Sequence, residues 1–238
     1  MNEKMVLIIG GSSGIGFEVA RQACEQGARL KVVARDPAKL AIAAEPLGGA
    51  VKTAVLDAHD DKALENFFVN EDDFDHLVST IGDSMAGGFL TTTPETMRHV
   101  LHSKFWTNWM IGRRAASKLR RGGSITFTAG TGGRPYEISA TYVANLGIGA
   151  LVQGLACELA PHIRVNAVAP TFMGTATTFW RDIPNAALEA ASTVFSENVP
   201  LKRLGTVEEV ASCYLHLMTN GFITGQVLAI DGGVMLRK

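Results

Sequence analysis

Three glycines follow a short apolar segment near the N-terminus. Residues 6–9 are apolar, Gly10, Gly14 and Gly16 come next, and a helical pattern begins at Ile15. Glycine allows a tight turn and a close approach of the backbone to a pyrophosphate, and the free N–H groups at a helix N-terminus attract phosphate. A glycine triplet alone is a weak signal. The strand and helix patterns on either side make this a predicted dinucleotide-binding turn.

The end of the second predicted strand indicates which dinucleotide binds. Residues 30–34 are apolar apart from Lys31, and Ala34 occupies the position where an acidic side chain would accept a hydrogen bond from a ribose 2′-hydroxyl. Arg35 follows it, and arginine suits a 2′-phosphate, so the sequence favours NADP(H) over NAD(H), with Ser12 and Ser13 assisting. The alternative is a solvated arginine at a strand end.

Further residues at predicted strand ends complete the expected cofactor site. Asp57, after the third strand, is placed to receive the adenine amine, although a carboxylate there is also a common helix N-cap. The rest of the predicted set is Ile15, Ala58, Thr80, Gly82, Pro170 and Thr171.

Apolar runs alternate with amphipathic helical patterns along the whole chain. The predicted strands lie near residues 5–10, 29–34, 51–56, 75–80, 123–128, 163–168 and 226–230. This alternation predicts an α/β fold of the Rossmann type, a doubly wound, seven-stranded parallel sheet with helices on both faces. The 238 residues suit a single domain, residues 1–238. We interpret the irregular stretch of about 172–200 as a substrate-covering lid, the alternative being a surface helical hairpin.

Composition argues against several other functions. The formal net charge is -1 and no dense basic stripe is present, so nucleic acid and anionic membranes are not expected partners. No apolar stretch approaches the length of a membrane span, which favours a cytoplasmic protein. Cys24, Cys157 and Cys213 are far apart and are expected to be buried thiols. His99 and His102 have no evident acidic or thiol co-ligand, so no metal site is expected.

With these motifs, the sequence resembles the short-chain dehydrogenase/reductase family over nearly its whole length. The glycine segment is similar to the family's T-G-x-x-x-G-x-G with Ile9 in place of threonine, and residues 163–170 resemble its I-R-V-N-x-V-x-P segment. Residues 200–205, 208–211 and 224–233 resemble its C-terminal signature. The resemblance implies hydride transfer between NADP(H) and a carbonyl or alcohol of a small, partly apolar substrate. It also places Thr175 at the nicotinamide carboxamide.

The family's catalytic asparagine, serine, tyrosine and lysine all have different residues at the corresponding positions. Thr141 stands at the tyrosine position, Asn145 at the lysine position and Lys104 at the asparagine position. The serine position falls on Ala129 or Gly130. Relative to the family, the lysine and the asparagine have therefore exchanged positions. This exchange would keep one cation, Lys104, in the site.

The proton donor is the open question. Thr128 and Thr141 hydroxyls are far too weakly acidic to replace a phenol, and Tyr142 is rotated about a quarter turn from the tyrosine position and is expected to point into packing. Lys104, if desolvated, would have a lowered pKa and could be the acid; the alternative is an exposed helix lysine. The predicted catalytic set is Lys104, Thr128, Thr141, Tyr142 and Asn145. A catalytically inactive NADP(H)-binding sensor or structural protein is the alternative function.

Aromatic residues suggest an oligomer. Phe105, Trp106 and Trp109 form a stripe at helical spacing, a pattern more typical of core or subunit contact than of a substrate pocket. The family resemblance implies that this helix forms a dimer face and that the C-terminal region makes the other contact of a tetramer. We therefore expect a homodimer or homotetramer.

Overall fold

Seven parallel strands form one sheet in the computed structural model, which describes residues 1–173 and 184–236. The strands are β1 (Met5–Ile9), β2 (Arg29–Ala34), β3 (Val51–Val55), β4 (Phe74–Ser79), β5 (Leu119–Thr128), β6 (Arg164–Pro170) and β7 (Val227–Ile230). Their spatial order is β3-β2-β1-β4-β5-β6-β7, and every neighbouring pair is parallel. The predicted doubly wound sheet is confirmed, although β5 begins at Leu119 and not at residue 123.

Eight helices are found in the described residues. They are α1 (Gly14–Glu25), α2 (Pro37–Ala44), α3 (Asp61–Val69), α4 (Pro94–Val100), α5 (Thr107–Ala115), α6 (Ser139–Leu159), α7 (Asn185–Asn198) and α8 (Val207–Thr219). A π-helical turn, Leu101–Trp106, joins α4 to α5. Short 3₁₀ turns lie at Glu45–Ala50 and Val234–Leu236.

The core lies on both faces of the sheet. Leu7 and Ile9 of β1 belong to one apolar cluster, together with residues of α3, α5 and α6. Val6 and Ile8 point to the other face and belong to the cluster of α1, α2 and α8. Because helices cover both faces, residues 6–9 are all apolar and buried, which is why β1 appears as a continuous apolar run in the sequence. The neighbouring β4 also buries Asp75 and His76.

Helix α6 corrects the expectation that no apolar stretch is long enough to span a membrane. It has 21 residues and a window of mean hydropathy 1.3, enough by length and composition alone. The core helix of an α/β sheet passes the same test, because the face that packs on the sheet must be apolar. Ile148 and Val152 are fully buried there.

The cysteines correct another expectation. Cys157 is exposed, while Cys24 and Cys213 are only partly buried, so none is the fully buried thiol that was predicted. All three lie in helices, and Cys157 follows Ala156, which is 4% exposed and takes the sheet-facing position on α6. Adjacent helix positions differ by about a quarter turn, so Cys157 faces outward.

Candidate active site

The turn from β1 to α1 has the features of a phosphate cradle. Gly10 has a positive φ of 91°, and Gly16 packs so closely that an added Cβ would overlap the Gly10 carbonyl oxygen. Ser13 caps α1 in an extended conformation without a side-chain hydrogen bond, and the first turn of the helix carries no acidic residue. The first N–H groups of α1 are therefore open to an anion.

A cleft of about 600 Å³ opens at the carboxyl ends of β1 to β4. Its lining brings together eleven predicted cofactor residues: Gly10, Ser12, Ser13, Gly14, Ile15, Gly16, Arg35, Asp57, Ala58, Thr80 and Gly82. Ten lining residues were not predicted as cofactor residues, and four of these have polar or charged side chains: Asp36, Lys39, His59 and Asp83. These four residues lie in the loops and first helical turns after β2, β3 and β4. Polar residues just beyond the ends of parallel strands commonly line a ligand cleft, so their sequence position could have predicted them.

Two cations line the cleft beyond β2. Arg35 is exposed at the strand end, and Lys39 lies in the first turn of α2. Asp36 stands between them, but its carboxylate caps α2 by accepting hydrogen bonds from the N–H groups of Ala38 at 3.0 Å and Lys39 at 3.1 Å. Both cations are therefore available to a doubly charged phosphate.

Asp57 lines the cleft beyond β3, and the helix-cap alternative does not hold for it. Its carboxylate accepts a hydrogen bond from the His59 N–H at 3.0 Å. The N-cap of α3 is Asp60, whose side chain accepts from Lys62 and Ala63. The carboxylate that lines the cleft, Asp57, and the carboxylate that caps α3, Asp60, are therefore different residues.

The predicted residues after β6 lie elsewhere. Pro170 ends β6, and Thr171 lines a smaller cavity of about 130 Å³ beneath α7. Met173 lines both this cavity and the larger cleft. Thr175, and with it part of the predicted lid, lies outside the described residues.

The two candidate threonines are occupied by protein groups. The Thr128 hydroxyl donates to the Ser79 carbonyl at 2.7 Å and lies 2.6 Å from the Tyr214 hydroxyl. The Thr141 hydroxyl accepts from the Met85 N–H at 2.8 Å and donates to the Met85 carbonyl at 3.1 Å. Each hydroxyl proton has a backbone acceptor, so these side chains tie loops together and are not free donors.

Asn145 offers an unpaired oxygen. Its side chain packs against Gly130, where an added Cβ would lie 3.0 Å from Asn145 Nδ2. Its Oδ1 is buried and has no hydrogen-bond partner in the described residues. Burying such an oxygen without a partner costs about 1–3 kcal/mol, so the amide is poised for a ligand or an ordered water. Tyr142 is partly buried beside Thr141 on the same helix.

Lys104 is buried against Gly82, a residue that lines the cleft. It is 5% exposed and lies in the π-helical turn, so the alternative of an exposed helix lysine is wrong. Its stem crosses Gly82, a cleft residue. Burial lowers the pKa of Lys104 to about 8, and the negative charge of Asp83 partly opposes this shift. The side chain is thus an ammonium at neutral pH that can lose its proton.

The π-helical turn is held to the end of β4. The Asn108 amide donates to the Lys104 carbonyl at 2.6 Å, and its Oδ1 accepts from the Ser79 hydroxyl at 2.6 Å. Asn108 and Ser79 are both fully buried. Turns of this type occur mostly within α-helices and frequently at functional sites.

Comparison with known proteins identifies similar reductases and dehydrogenases. A family profile for enoyl-(acyl carrier protein) reductase matches residues 10–235. A short-chain dehydrogenase/reductase of Stachybotrys chlorohalonatus is 32% identical, covering 98% of this chain and 97% of that protein. The 3-oxoacyl-(acyl-carrier-protein) reductase of Homo sapiens is 32% identical over 98% of this chain and 99% of its own. A crystal structure of a small-chain dehydrogenase in complex with NADPH has a TM-score of 0.84 and 28% identity, covering 99% of this chain and 100% of that one.

Proposed function

Since the chain belongs to the short-chain dehydrogenase/reductase family, we propose that it is an NADP(H)-dependent oxidoreductase with a lysine as its acid. The substrate is a small, partly apolar molecule with a carbonyl or alcohol group. The observation that carries this proposal is the burial of Lys104 against Gly82, which lines the dinucleotide cleft.

The residues present fit NADP(H). The open N-terminus of α1 suits the pyrophosphate, and Arg35 with Lys39 suits the 2′-phosphate. The unpaired Oδ1 of Asn145 is a candidate acceptor for a hydroxyl or amide of the cofactor. The NADPH complex of the small-chain dehydrogenase supports this choice of cofactor. When bound, the nicotinamide supplies or accepts the hydride.

Lys104 supplies the proton that a carbonyl reduction needs. Thr128 and Thr141 already donate to backbone carbonyls. A general acid works best with a pKa near the working pH, and burial places that of Lys104 at about 8. Its Nζ stabilises the developing alkoxide, donates a proton to it, and becomes a neutral amine.

Substitution of Lys104 tests the proposal. In Lys104→Ala, reduction of a panel of carbonyl compounds by NADPH should fall by about 10²-fold or more, the usual contribution of a general acid, while NADPH affinity stays close to that of the wild type. Lys104→Arg should restore charge but not proton donation, because arginine does not release a proton near neutral pH. Lys62→Ala, which changes an exposed lysine of α3, is the control.

The opposite results favour the alternative function. If the wild type binds NADPH but reduces no carbonyl and oxidises no alcohol in a broad screen, and Lys104→Ala changes nothing, the chain is a non-catalytic NADP(H)-binding protein. The engaged hydroxyls of Thr128 and Thr141 are the observation that keeps this alternative open. The single-domain boundary, the cytoplasmic setting and the homodimer or homotetramer remain predictions.

A further inference from the structure

His59 is a cleft residue whose ring is anchored on its buried side by α5. It follows Asp57 in the loop after β3 and lines the dinucleotide cleft. Its Nδ1 lies 3.0 Å from the hydroxyl oxygen of Thr107, the first residue of α5. That hydroxyl donates to the His102 carbonyl at 2.9 Å. Thr107 is 1% exposed and does not line the cleft, so Nδ1 is the ring nitrogen that is turned toward the protein interior.

The hydrogen bonds of Thr107 fix the tautomer of His59. A threonine hydroxyl has a single hydrogen, and that of Thr107 is donated to the His102 carbonyl. Toward His59 the hydroxyl oxygen can therefore only accept, so the imidazole hydrogen is on Nδ1. In a neutral imidazole the other nitrogen, Nε2, is then an acceptor. Burial lowers the pKa of His59, and the charges of Asp57 and Asp83 oppose this shift without cancelling it, so the ring is neutral at neutral pH.

Asp57 provides a second side-chain acceptor in the same loop. Its Oδ1 accepts a hydrogen bond from the His59 N–H at 3.0 Å, which leaves Oδ2. In the part of the chain that the structure describes, neither Asp57 Oδ2 nor His59 Nε2 makes a hydrogen bond. Both residues line the cleft. Two open acceptors in one loop suit a ligand group that has two hydrogens to donate.

We propose that His59 is a second acceptor, beside Asp57, for the amino group of the cofactor's adenine. An exocyclic amino group has two N–H donors, one for Asp57 Oδ2 and one for His59 Nε2. A 6-oxopurine such as hypoxanthine has a carbonyl oxygen at that place and would meet two acceptors with nothing to donate. The pair therefore selects adenine against a 6-oxopurine. This inference rests on the proposed binding of NADP(H) and is independent of the role of Lys104.

The rest of the cleft brings the adenine toward this loop. With the pyrophosphate at the N-terminus of α1 and the 2′-phosphate at Arg35 and Lys39, the adenosine ribose lies beyond β2. The next strand outward in the sheet is β3. A base attached to that ribose reaches the loop after β3, where Asp57 and His59 lie.

Nitrogen-15 NMR without cofactor tests the tautomer. The imidazole nitrogens of His59, assigned by their loss in His59→Gln, are measured at about pH 8, above the ordinary histidine pKa. Protonated and unprotonated ring nitrogens differ in chemical shift, and we expect the hydrogen on Nδ1. Thr107→Val should remove this preference, because Nδ1–H loses its acceptor, and Thr107→Ser should keep it. A wild-type ring with its hydrogen on Nε2 would overturn the inference.

Calorimetry with two dinucleotides tests the recognition of adenine. The wild type should bind the NADPH analogue that has hypoxanthine in place of adenine at least about tenfold more weakly than NADPH. In His59→Phe, which lacks the acceptor, NADPH affinity should fall about tenfold while the affinity for the analogue stays the same or rises. His216→Phe, which changes an exposed histidine of α8 outside the cleft lining, should leave both affinities unchanged.

The outcomes separate this inference from the proposed function. If the wild type binds NADPH and the analogue equally tightly, or if His59→Phe changes both affinities to the same extent, only the role of His59 fails. If the wild type binds neither dinucleotide, the proposed function fails as well.

Discussion

The side chain of Lys104 runs across the α-carbon of Gly82, with its Cγ only 2.8 Å from where a Gly82 Cβ would stand. Gly82 has a φ of 130°, a conformation that side chains rarely adopt. This glycine therefore leaves the room in which the lysine is buried. The position of the ammonium depends on a residue with no side chain.

Gly82→Ala should displace Lys104 and strain the backbone. We expect a stability loss of about 1–3 kcal/mol in urea unfolding, with a large drop in turnover. Gly154→Ala is the matched control, since Gly154 is an exposed residue of α6 with nothing within 4 Å of an added Cβ. There, alanine should be neutral or stabilising by up to about 1 kcal/mol. Equal behaviour of the two variants would contradict the role given to Gly82.

Arg35 and Lys39 should set the preference for NADPH. Removing one charge-assisted hydrogen bond costs about 1.5–3 kcal/mol, so Arg35→Ala or Lys39→Ala should weaken NADPH binding about tenfold or more in calorimetry. NADH affinity should change little, because NADH lacks the 2′-phosphate. If the wild type binds NADPH no more tightly than NADH, or if Arg35→Ala leaves their ratio unaltered, the cofactor assignment is wrong.

The pH dependence of reduction should show the titration of Lys104. In the proposed reaction the ammonium is the proton donor, so the active form is the low-pH form. Because burial lowers the pKa to about 8, kcat/KM for carbonyl reduction should fall as the pH rises through about 8. The ordinary lysine value would have placed this fall near pH 10.4. A profile that stays flat between pH 7 and pH 9.5 would argue against Lys104 as the acid.

Thr141 should behave as a structural residue. Thr141→Val leaves the Met85 N–H and carbonyl without their partner, and we expect a stability loss of about 1–3 kcal/mol together with a raised KM for substrate. Thr141→Ser retains the hydroxyl and should be close to wild type. Thermal unfolding and steady-state kinetics distinguish these outcomes. Loss of turnover in Thr141→Val without any loss of stability would instead assign Thr141 to the chemistry.

The aromatic stripe should lie between subunits at Trp106. Phe105 already packs on Gly147 of α6 within the subunit, whereas Trp106 is 40% exposed, and Leu146, elsewhere on α6, is 60% exposed. The Trp109 ring lies beside that of Trp106, with centroids 4.9 Å apart, and contiguous apolar surface commonly marks a subunit contact. Sedimentation should show a dimer or tetramer at micromolar concentration, and Trp106→Glu should shift it toward monomer. A wild-type monomer would refute the prediction.

Local sequence patterns were sufficient for the fold and for the nucleotide cradle. Buried parallel strands need continuous apolar runs, and the turn from β1 to α1 needs glycine at Gly10 and Gly16, so both features are visible in a few adjacent residues. The spacing of motifs also predicted Lys104, Thr141 and Asn145 as site residues, and their roles stay predictions. These features are determined by short-range sterics and by periodicity, which the sequence expresses directly.

Only the tertiary structure decided what those residues contact. The burial of Lys104, the engagement of the Thr141 hydroxyl with Met85 and the pairing of Asp83 with His99 all join segments that are distant in sequence. No periodic pattern records which hydroxyl finds a backbone partner or which carboxylate pairs with a histidine. Those contacts follow from how loops after different strands meet at one edge of the sheet, and desolvation at that edge lowers the pKa of the lysine.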